Sequence, residues 1–369
     1  MRPLVLVALA LPALAANAQT AEIHGRVLDA DGGPLPGANV YLSGTTRGAA
    51  AGTTGRFALS DLPPGAYRVV ASMLGYEVGV EPVTLAAGDT LEVSFALTAT
   101  VRGLGAVEVG AERDGRWARR YRWFREQLLG ETENAAECEI LNPHVLSFRG
   151  RLGTLVAEAS QPLVIENRAL GYRLTYDLET FEGSSASLRY HGDERFEELA
   201  PADSAEAARW AAARSRAYRG SMRHLFRSLL AGTAAEEGFT FTLTQSDPLG
   251  YRASFGMPER PVSGGRVIRT DDEGWGTLRT TGQLGVRYTR EAEPDAYLES
   301  AWFREPRNRP EPHQQSRISL RRGERIDPQG TPEDPFALTV SGYLAFERLA
   351  DLLPAEYADP APRPASQAN

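Results

Sequence analysis

The sequence has one cysteine, five histidines and no long apolar run beyond its first residues, and each shortage excludes a class of protein. Cys138 has no partner for an internal disulfide, so the fold must depend on hydrophobic cores. Because Cys138 stands beside an apolar run, we expect a buried, inert thiol. A transmembrane helix needs about 18 or more consecutive apolar residues, and we expect no such span in the mature chain. The net charge of −8 argues against nucleic acid as a partner.

The usual catalytic motifs are also missing. The sequence contains no G-x-S-x-G nucleophile elbow, no G-x-x-x-x-G-K-[ST] phosphate loop and no G-x-G-x-x-G that opens a helix. The nearest approach is Gly103-Leu104-Gly105, which no helical pattern follows. From these motifs we predict no catalytic residue, no metal ligand and no cofactor site. Acid–base pairs of carboxylates stay open, because Asp and Glu are too frequent to single out by spacing.

The first 18 residues have the pattern of a secretory signal peptide. Arg2 provides a positive start, residues 3 to 15 are apolar or small, and Ala16-Asn17-Ala18 is an A-x-A cleavage site before Gln19. This pattern predicts an exported protein, located in the periplasm, at the outer membrane or outside the cell.

Residues 19–100 have the pattern of an all-β domain. Short alternating runs are separated by Gly- and Pro-rich turns, as in LEVSFAL, where Leu91, Val93, Phe95 and Leu97 share one face. This spacing is typical of a β-sandwich. The corner Pro63-Pro64-Gly65 fits a tight turn between two such strands.

The remaining chain reads as a linker with a helix, a second domain and a tail. We predict a linker and helix over 101–135, with Gly130 as the C-cap, and an α+β domain dominated by antiparallel sheet over 136–353. Within that domain, Asp203 and Ser221 are the predicted N-caps of two successive helices, and Gly232 ends the second helix. The Pro/Ala-rich tail 354–369 is predicted to be disordered.

One constellation could hold zinc. His191 and Glu194 form an H-x-x-E motif, and His313 would be the distant third ligand of a zinc peptidase. The hydrophilic run around His191 is more typical of an exposed hairpin, and His313 lies in a loop rich in proline. We therefore favour no metal at these residues.

The predicted helices over 203–231 are rich in arginine although the protein is acidic. The basic residues could bind an anionic partner, or their stems could cover apolar surface while the guanidinium groups pair with neighbouring acids; we favour the second interpretation. They are Arg209, Arg214, Arg216, Arg219, Arg223, His224 and Arg227.

Two stretches carry a family resemblance. GRVLDADGGPLPGANVYLSGT (25–45) and GRFALSDLPPGAYRVVASMLGYE (55–77) resemble the carboxypeptidase regulatory-like domain, over residues 22 to about 98. The resemblance implies a seven-stranded prealbumin-like β-sandwich without catalytic residues of its own. Segments 120–148, 162–181, 218–232 and 334–357 resemble exported proteins of Bacteroidetes-type bacteria that contain this domain.

Together these observations predict a mainly β, non-enzymatic protein of the cell envelope. The sandwich would act as a docking or spacer module, and the C-terminal domain would bind a glycan, a peptide or a protein. Two alternatives stay open. One is a cell-wall or peptide hydrolase with an unrecognised acidic or zinc site, and the other is an accessory of a TonB-dependent outer-membrane transporter.

Overall fold

The N-terminal part of the computed structural model is a seven-stranded β-sandwich. The structure describes residues 20–99, 115–150, 153–244, 259–300 and 307–360. The first sheet has the order β4-β1-β7, with β1 parallel to β7, and the second has the order β3-β2-β5-β6. The strands are β1 (Ala21–Asp29), β2 (Asn39–Leu42), β3 (Gly48–Ala50), β4 (Arg56–Leu62), β5 (Gly65–Ser72), β6 (Gly79–Leu85) and β7 (Thr90–Leu97).

The alternating residues of the sandwich strands fill its core as the sequence predicts. Val93, Phe95 and Leu97 of β7 are buried between the two sheets, and the intervening residues of the strand are exposed. The corner before β5 is held by the Tyr67 hydroxyl, which donates a hydrogen bond of 2.7 Å to the Pro63 carbonyl. The predicted mainly β fold with an N-terminal sandwich is confirmed.

A six-stranded antiparallel sheet with flanking helices follows the sandwich. Its order is β8-β11-β12-β10-β9, and β13 also pairs with β12 along a long hairpin. Two helices come before it, α1 (Gly115–Leu129) and α2 (Glu133–Ala136). The strands are β8 (Cys138–Ile140), β9 (Leu146–Arg149), β10 (Leu155–Ala159), β11 (Leu163–Asn167), β12 (Tyr172–Gly183) and β13 (Leu188–Glu198), with a 3-10 turn at Pro143–Val145.

Helix α1 belongs to the core of this sheet, which corrects the prediction that residues 101–135 are a linker with a helix. Phe124, Leu128 and Leu129 are fully buried, and the ring of Phe124 lies 4.6 Å from that of Phe181 on β12. The period of the apolar residues predicts the helix, but its packing partner lies more than 50 residues away in the chain. Residues 100–114 lie outside the described residues.

Two capped helices lead into the last part of the chain. Helix α3 (Ser204–Tyr218) begins at the N-cap Asp203, and α4 (Met222–Ala231) begins at the N-cap Ser221. Helix α4 ends at Gly232, whose φ of 73° is the left-handed conformation that favours glycine. These boundaries agree with the sequence prediction.

Residues beyond α4 form a second core, so the predicted domain 136–353 contains two. The larger sheet has the order β15-β14-β18-β19-β21, and the smaller has the order β16-β17-β20. Leu225, Phe226 and Leu229 of α4 pack against both. The elements are β14 (Phe239–Thr244), β15 (Arg260–Val262), α5 (Gly264–Val267), β16 (Ile268–Thr270), β17 (Gly276–Leu278), β18 (Gly282–Tyr288), α6 (Asp295–Glu299), β19 (Gln314–Leu320), β20 (Arg325–Ile326), β21 (Thr339–Gly342) and α7 (Tyr343–Phe346), followed by a 3-10 turn at Leu349–Asp351.

The segment 354–360 is ordered against the protein, so the prediction of a disordered tail over 354–369 is wrong for these residues. The amide of Ala355 donates a 2.7 Å hydrogen bond to the carbonyl of Gly44 in the sandwich. Asp359 accepts a 2.8 Å hydrogen bond from Arg219. Arg227 donates to the carbonyls of Ala355 and Tyr357. Residues 361–369 lie outside the described residues.

The sandwich docks directly on β13. Arg68 of β5 donates from Nε and Nη2 to the two carboxylate oxygens of Asp193, each at 2.9 Å. The amide of Gly44 donates to the carbonyl of Glu194 at 2.7 Å, and the amide of Phe196 donates to the carbonyl of Thr45 at 3.0 Å. The loop that contains Gly44 and Thr45 therefore runs beside β13 as a short parallel bridge.

None of the helices in the described ranges combines the length and the apolar character needed to cross a membrane.

Candidate functional site

A cavity of about 260 Å³ lies where three parts of the C-terminal region meet. One wall comes from β12 and β13, a second from the junction of α3 and α4, and a third from α7 and the 3-10 turn that follows it. The apolar part of its lining includes Met222, Leu344 and Leu349. Charged and aromatic side chains occupy the remainder, and such mixed, concave sites are where ligands usually bind.

Two carboxylates that line this cavity have no partner among the other residues that the structure describes. Glu194 projects from β13, and Glu347 follows the last residue of α7. Neither side chain accepts a hydrogen bond from another residue, or forms an ion pair, within the described part of the chain. Both side chains are half-buried, so a bound ligand that donates hydrogen bonds to their carboxylate oxygens would be favoured.

The third carboxylate is held by the protein. Asp351 accepts hydrogen bonds from the Thr132 hydroxyl at 3.0 and 3.1 Å, from the Asn134 amide at 2.9 Å and from the Arg348 backbone at 3.3 Å. These bonds tie the 3-10 turn to α2. Asp351 therefore positions the third wall of the cavity and has less capacity left for a ligand.

Burial raises the pKa of all three carboxyl groups. The pKa of Glu194 rises to about 7, because the group is buried and Asp193 is adjacent, although Arg223 opposes the shift. Burial, Asp351 and Glu291 place the pKa of Glu347 well above its ordinary value. The pKa of Asp351 rises to about 6 through burial, against the stabilising effect of its hydrogen bonds. At neutral pH the cavity therefore holds partly protonated carboxyl groups.

Two guanidinium groups complete the charged lining, and His191 borders the cavity from the opposite face of β13. Arg348 donates to the carbonyls of Ala345 and Gln127, so its side chain mainly joins α1 to the third wall. Arg223 donates from one Nη atom to the carbonyl of Leu353, and burial and the nearby Arg227 lower its pKa to about 10, which keeps it charged at neutral pH. Burial and Arg68 lower the pKa of His191, so this imidazole is neutral there.

Tyrosine rings form the aromatic part of the lining. Tyr176, Tyr190 and Tyr218 line the cavity, and burial raises the pKa of Tyr176 and Tyr190, so both phenols keep their protons. The ring of Tyr176 lies directly over Gly192. A Cβ on Gly192 would stand 2.7 Å from Cζ of that ring and 2.4 Å from the carbonyl oxygen of Asp177. Only glycine leaves room for the tyrosine in this position.

The structure separates the residues of the zinc hypothesis. His191 and Glu194 lie on β13, where an interval of three residues directs side chains to opposite faces. His191 lies 3.5 Å from Glu179, and its ring contacts Phe336. His313 lies just before β19, and its Nδ1 atom is buried without a hydrogen bond. Over the described ranges, no three His, Cys, Asp or Glu side chains converge as metal ligands.

Most of the predicted basic surface is used inside the protein. Arg214 donates to the carbonyls of Leu170 and Gly171 and lies 4.0 Å above the ring of Tyr172. Arg219 and Arg227 bind the C-terminal segment, as described above. These contacts support the structural interpretation of the arginines.

The remaining basic residues divide between acidic partners and solvent. Arg209 pairs with Glu206 at 3.1 Å, and His224 lies 3.1 Å from Glu237. Arg216 is exposed and so stays available to an external anion. Arg209 is exposed too but already pairs with Glu206, so these residues are a weak basis for an anionic partner surface.

Two smaller sequence candidates have simple outcomes. Cys138 is buried, and burial raises the pKa of its thiol to about 12, as expected of an inert cysteine. The segment Gly103-Leu104-Gly105 lies outside the described residues.

Sequence reasoning missed most of the cavity. Glu347, Arg348 and Asp351 stand inside the otherwise apolar run YLAFERLADLLP. Charged residues within an apolar run are rarely buried unless they are paired, so these three could have been recognised from the sequence as candidate site residues. Tyr176 and Tyr190 are ordinary strand residues in sequence, so nothing local marks them. In the sequence, Glu194 stands out only through the H-x-x-E motif with His191.

Comparisons with known proteins locate a family match outside the cavity. Residues 22–98 match the carboxypeptidase regulatory-like domain. No curated protein matches the chain.

Several solved structures are distantly similar to the chain. A streptococcal ancillary pilin is 17% identical, with a TM-score of 0.20. The match covers 22% of this chain and 33% of the pilin, so this chain spans a third of that pilin. A protein from Bacteroides uniformis, named as a candidate carbohydrate-binding protein, is 11% identical. The match covers 50% of this chain and 75% of that protein, with a TM-score of 0.19. A protein from Parabacteroides merdae, which belongs to a family of unknown function, is 12% identical. The match covers 49% of this chain and 82% of that protein, with a TM-score of 0.19. The family match and the seven observed strands together identify residues 22–98 as a carboxypeptidase regulatory-like domain.

Proposed function

We propose that the protein is an exported, non-enzymatic protein of the cell envelope that binds a small polar ligand in the cavity between β13, the α3–α4 junction and the C-terminal segment. The carboxypeptidase regulatory-like domain is the docking or spacer module. The ligand is a glycan, a peptide or an exposed segment of a protein. Export is supported by the signal-peptide pattern of residues 1–18.

The observation that carries this proposal is a pair of carboxylates, Glu194 and Glu347, which line a cavity with tyrosine rings and have no partner among the other described residues. Glycans and peptides both offer hydroxyl or amide donors to carboxylates, and both present flat apolar faces to aromatic rings. Ligand pockets usually measure roughly 300–1,000 Å³, so a cavity of about 260 Å³ fits a fragment of such a polymer.

Calorimetry with panels of soluble glycans and short peptides tests the proposal. A ligand of the cavity should bind wild type and bind Tyr190→Phe and Glu347→Gln more weakly. Glu92→Gln is the matched control, because Glu92 is an exposed residue of β7 in the sandwich. Binding that is equal in all four proteins would place the ligand outside the cavity and refute the proposal.

One observation favours a hydrolase as the second candidate. General acid–base catalysis works best with groups whose pKa lies near the working pH, and Glu194 has a pKa of about 7 beside a buried phenol. Cleavage of a peptide or glycan by wild type, lost in Glu194→Gln but kept in Glu92→Gln, would establish this activity and overturn the non-enzymatic proposal.

A further inference from the structure

Helix α1 is strongly basic, although the protein as a whole is acidic. The helix contains five arginines and one glutamate, whereas the chain has a net charge of −8. Two of these arginines bind backbone carbonyls of the protein. Arg120 donates to the carbonyl of Phe148 at 3.0 Å. Arg125 donates to the carbonyls of Ala135 at 3.0 Å and Cys138 at 2.8 Å. The fold therefore uses two of the five arginines.

The remaining three arginines form an exposed row along the helix. Arg116, Arg119 and Arg122 are all exposed, and their interval of three residues places each one beside the next on the helix surface. In the part of the chain that the structure describes, none of them has a hydrogen bond or an ion pair. Glu126, one turn beyond Arg122, is not paired with it there either. One side of α1 therefore presents three free guanidinium groups to solvent.

The stability of the helix does not explain this row. Like charges three residues apart repel each other, and cations near the N-terminus of a helix oppose its dipole. The first turn of α1 contains no acidic residue that would offset them. Nη1 of Arg119 even lies 3.8 Å from the position that a Cβ on Gly115 would take, at the start of the helix. The three arginines therefore slightly destabilise the free helix, and an anionic partner would remove that cost.

An aromatic side chain lies next to the row. Trp123 is half-buried and stands one turn beyond Arg119 on the helix surface. Its ring contacts that of Phe181 edge-on at 6.2 Å, and its Cη2 atom would stand 2.6 Å from a Cβ on Gly183. Its Nε1 atom has no partner among the described residues and is not buried. A tryptophan with an anchored ring and a free N–H is typical of protein surfaces at the level of lipid headgroups.

We propose that the basic face of α1, formed by Arg116, Arg119, Arg122 and Trp123, docks the protein on a lipid surface with anionic phosphate headgroups. Guanidinium groups bind phosphate oxygens in a bidentate manner. The row extends about 9 Å along the helix, and a bilayer presents its charges as a plane, so the three arginines can be engaged together without a pocket. This surface goes beyond the proposed function, because none of these four residues lines the cavity.

Co-sedimentation of the full mature chain with lipid vesicles tests the docking surface. One set of vesicles is phosphatidylcholine alone, and in the other phosphatidylglycerol replaces roughly a third of it. Wild type should bind only the anionic vesicles, and about 1 M salt should release it, because the Debye length is then about 3 Å. The triple variant Arg116→Gln, Arg119→Gln, Arg122→Gln should bind the anionic vesicles about a hundredfold more weakly.

The matched control is a second triple variant with the same change in net charge. Arg26→Gln, Arg56→Gln and Arg287→Gln remove exposed arginines of β1, β4 and β18. This variant should bind the anionic vesicles as wild type does. In thermal melting the α1 variant should match or exceed wild type, because glutamine is a good helix former and the repulsion is removed. A lower melting temperature would give the arginines a structural role and overturn the proposal.

Four binding results would also overturn it. Wild type could bind both kinds of vesicle equally, or neither. The α1 variant could bind as tightly as wild type, or the control variant could lose as much affinity as the α1 variant. Binding to soluble polygalacturonate in place of vesicles would assign the row to an acidic polysaccharide instead of a lipid surface. None of these results bears on the cavity, because its glycan and peptide panel is measured without vesicles.

Discussion

The cost of burying Glu194 can be measured through the pH dependence of folding. In the unfolded chain this carboxyl has its ordinary pKa of 4.5, and in the folded protein its pKa is about 7. The folded state therefore holds the proton more tightly. Between these two values stability falls as pH rises, because the unfolded state releases a proton that the folded state keeps. Below pH 4.5 the effect is absent, and above pH 7 it is complete.

The size of the effect follows from the two pKa values. One pKa unit corresponds to about 1.4 kcal/mol, so a difference of about 2.5 gives roughly 3.4 kcal/mol for a group sealed from water. Glu194 faces an open cavity, and the water there screens part of the charge, so we expect about 2–3 kcal/mol. Glu194→Gln removes the titrating carboxyl group and therefore also removes the loss of folding stability at high pH. The variant should match wild type near pH 4.5 and exceed it by about 2–3 kcal/mol near pH 8.5.

Urea denaturation of both proteins at intervals from pH 4.5 to pH 8.5 measures this difference. Glu92→Gln serves as the control, since an exposed carboxyl on the sandwich should leave the pH profile unchanged. A constant difference between Glu194→Gln and wild type over the whole range would refute the reasoning, because it would assign the effect to packing instead of ionisation.

Three further predictions concern the surroundings of the cavity. Arg68→Met should destabilise the protein by about 2–3 kcal/mol in urea, because Asp193 is 1% exposed and would lose its cation, while an unchanged midpoint would contradict this. Gly192→Ala should displace the ring of Tyr176 and lower the free energy of unfolding by about 1–3 kcal/mol. Unchanged stability and ligand binding would show that the ring is not confined. Deletion of residues 355–369 should lower stability by about 3 kcal/mol, because it removes carbonyl acceptors from the half-buried Arg227 of α4, and a melting temperature equal to wild type would refute that role.

The sandwich could be predicted because its signals are local. Alternation in LEVSFAL and the corner Pro63-Pro64-Gly65 specify strands and turns within a few residues, and the caps Asp203, Ser221 and Gly232 do the same for two helices. The role of α1 could not be predicted, because an amphipathic pattern gives the buried face of a helix without naming its partner.

The cavity could not be predicted for the same reason. The hydrogen bonds of Asp351 join residues about 220 positions apart, and no spacing in the chain reveals them. The prediction of a disordered tail was wrong because composition describes the segment and not the surface that receives it. Gly44 and Arg227 supply that surface for residues 354–360.

Strand β13 links the carboxypeptidase regulatory-like domain to the cavity. Asp193 faces the sandwich and is bonded to Arg68, whereas its neighbour Glu194 faces the cavity, because adjacent strand residues point to opposite sides. The backbone carbonyl of Glu194 also accepts the amide of Gly44 from the sandwich. Docking of the sandwich therefore fixes the backbone that carries a carboxylate lining the cavity. The sandwich can thus set the geometry of a cavity that none of its residues lines.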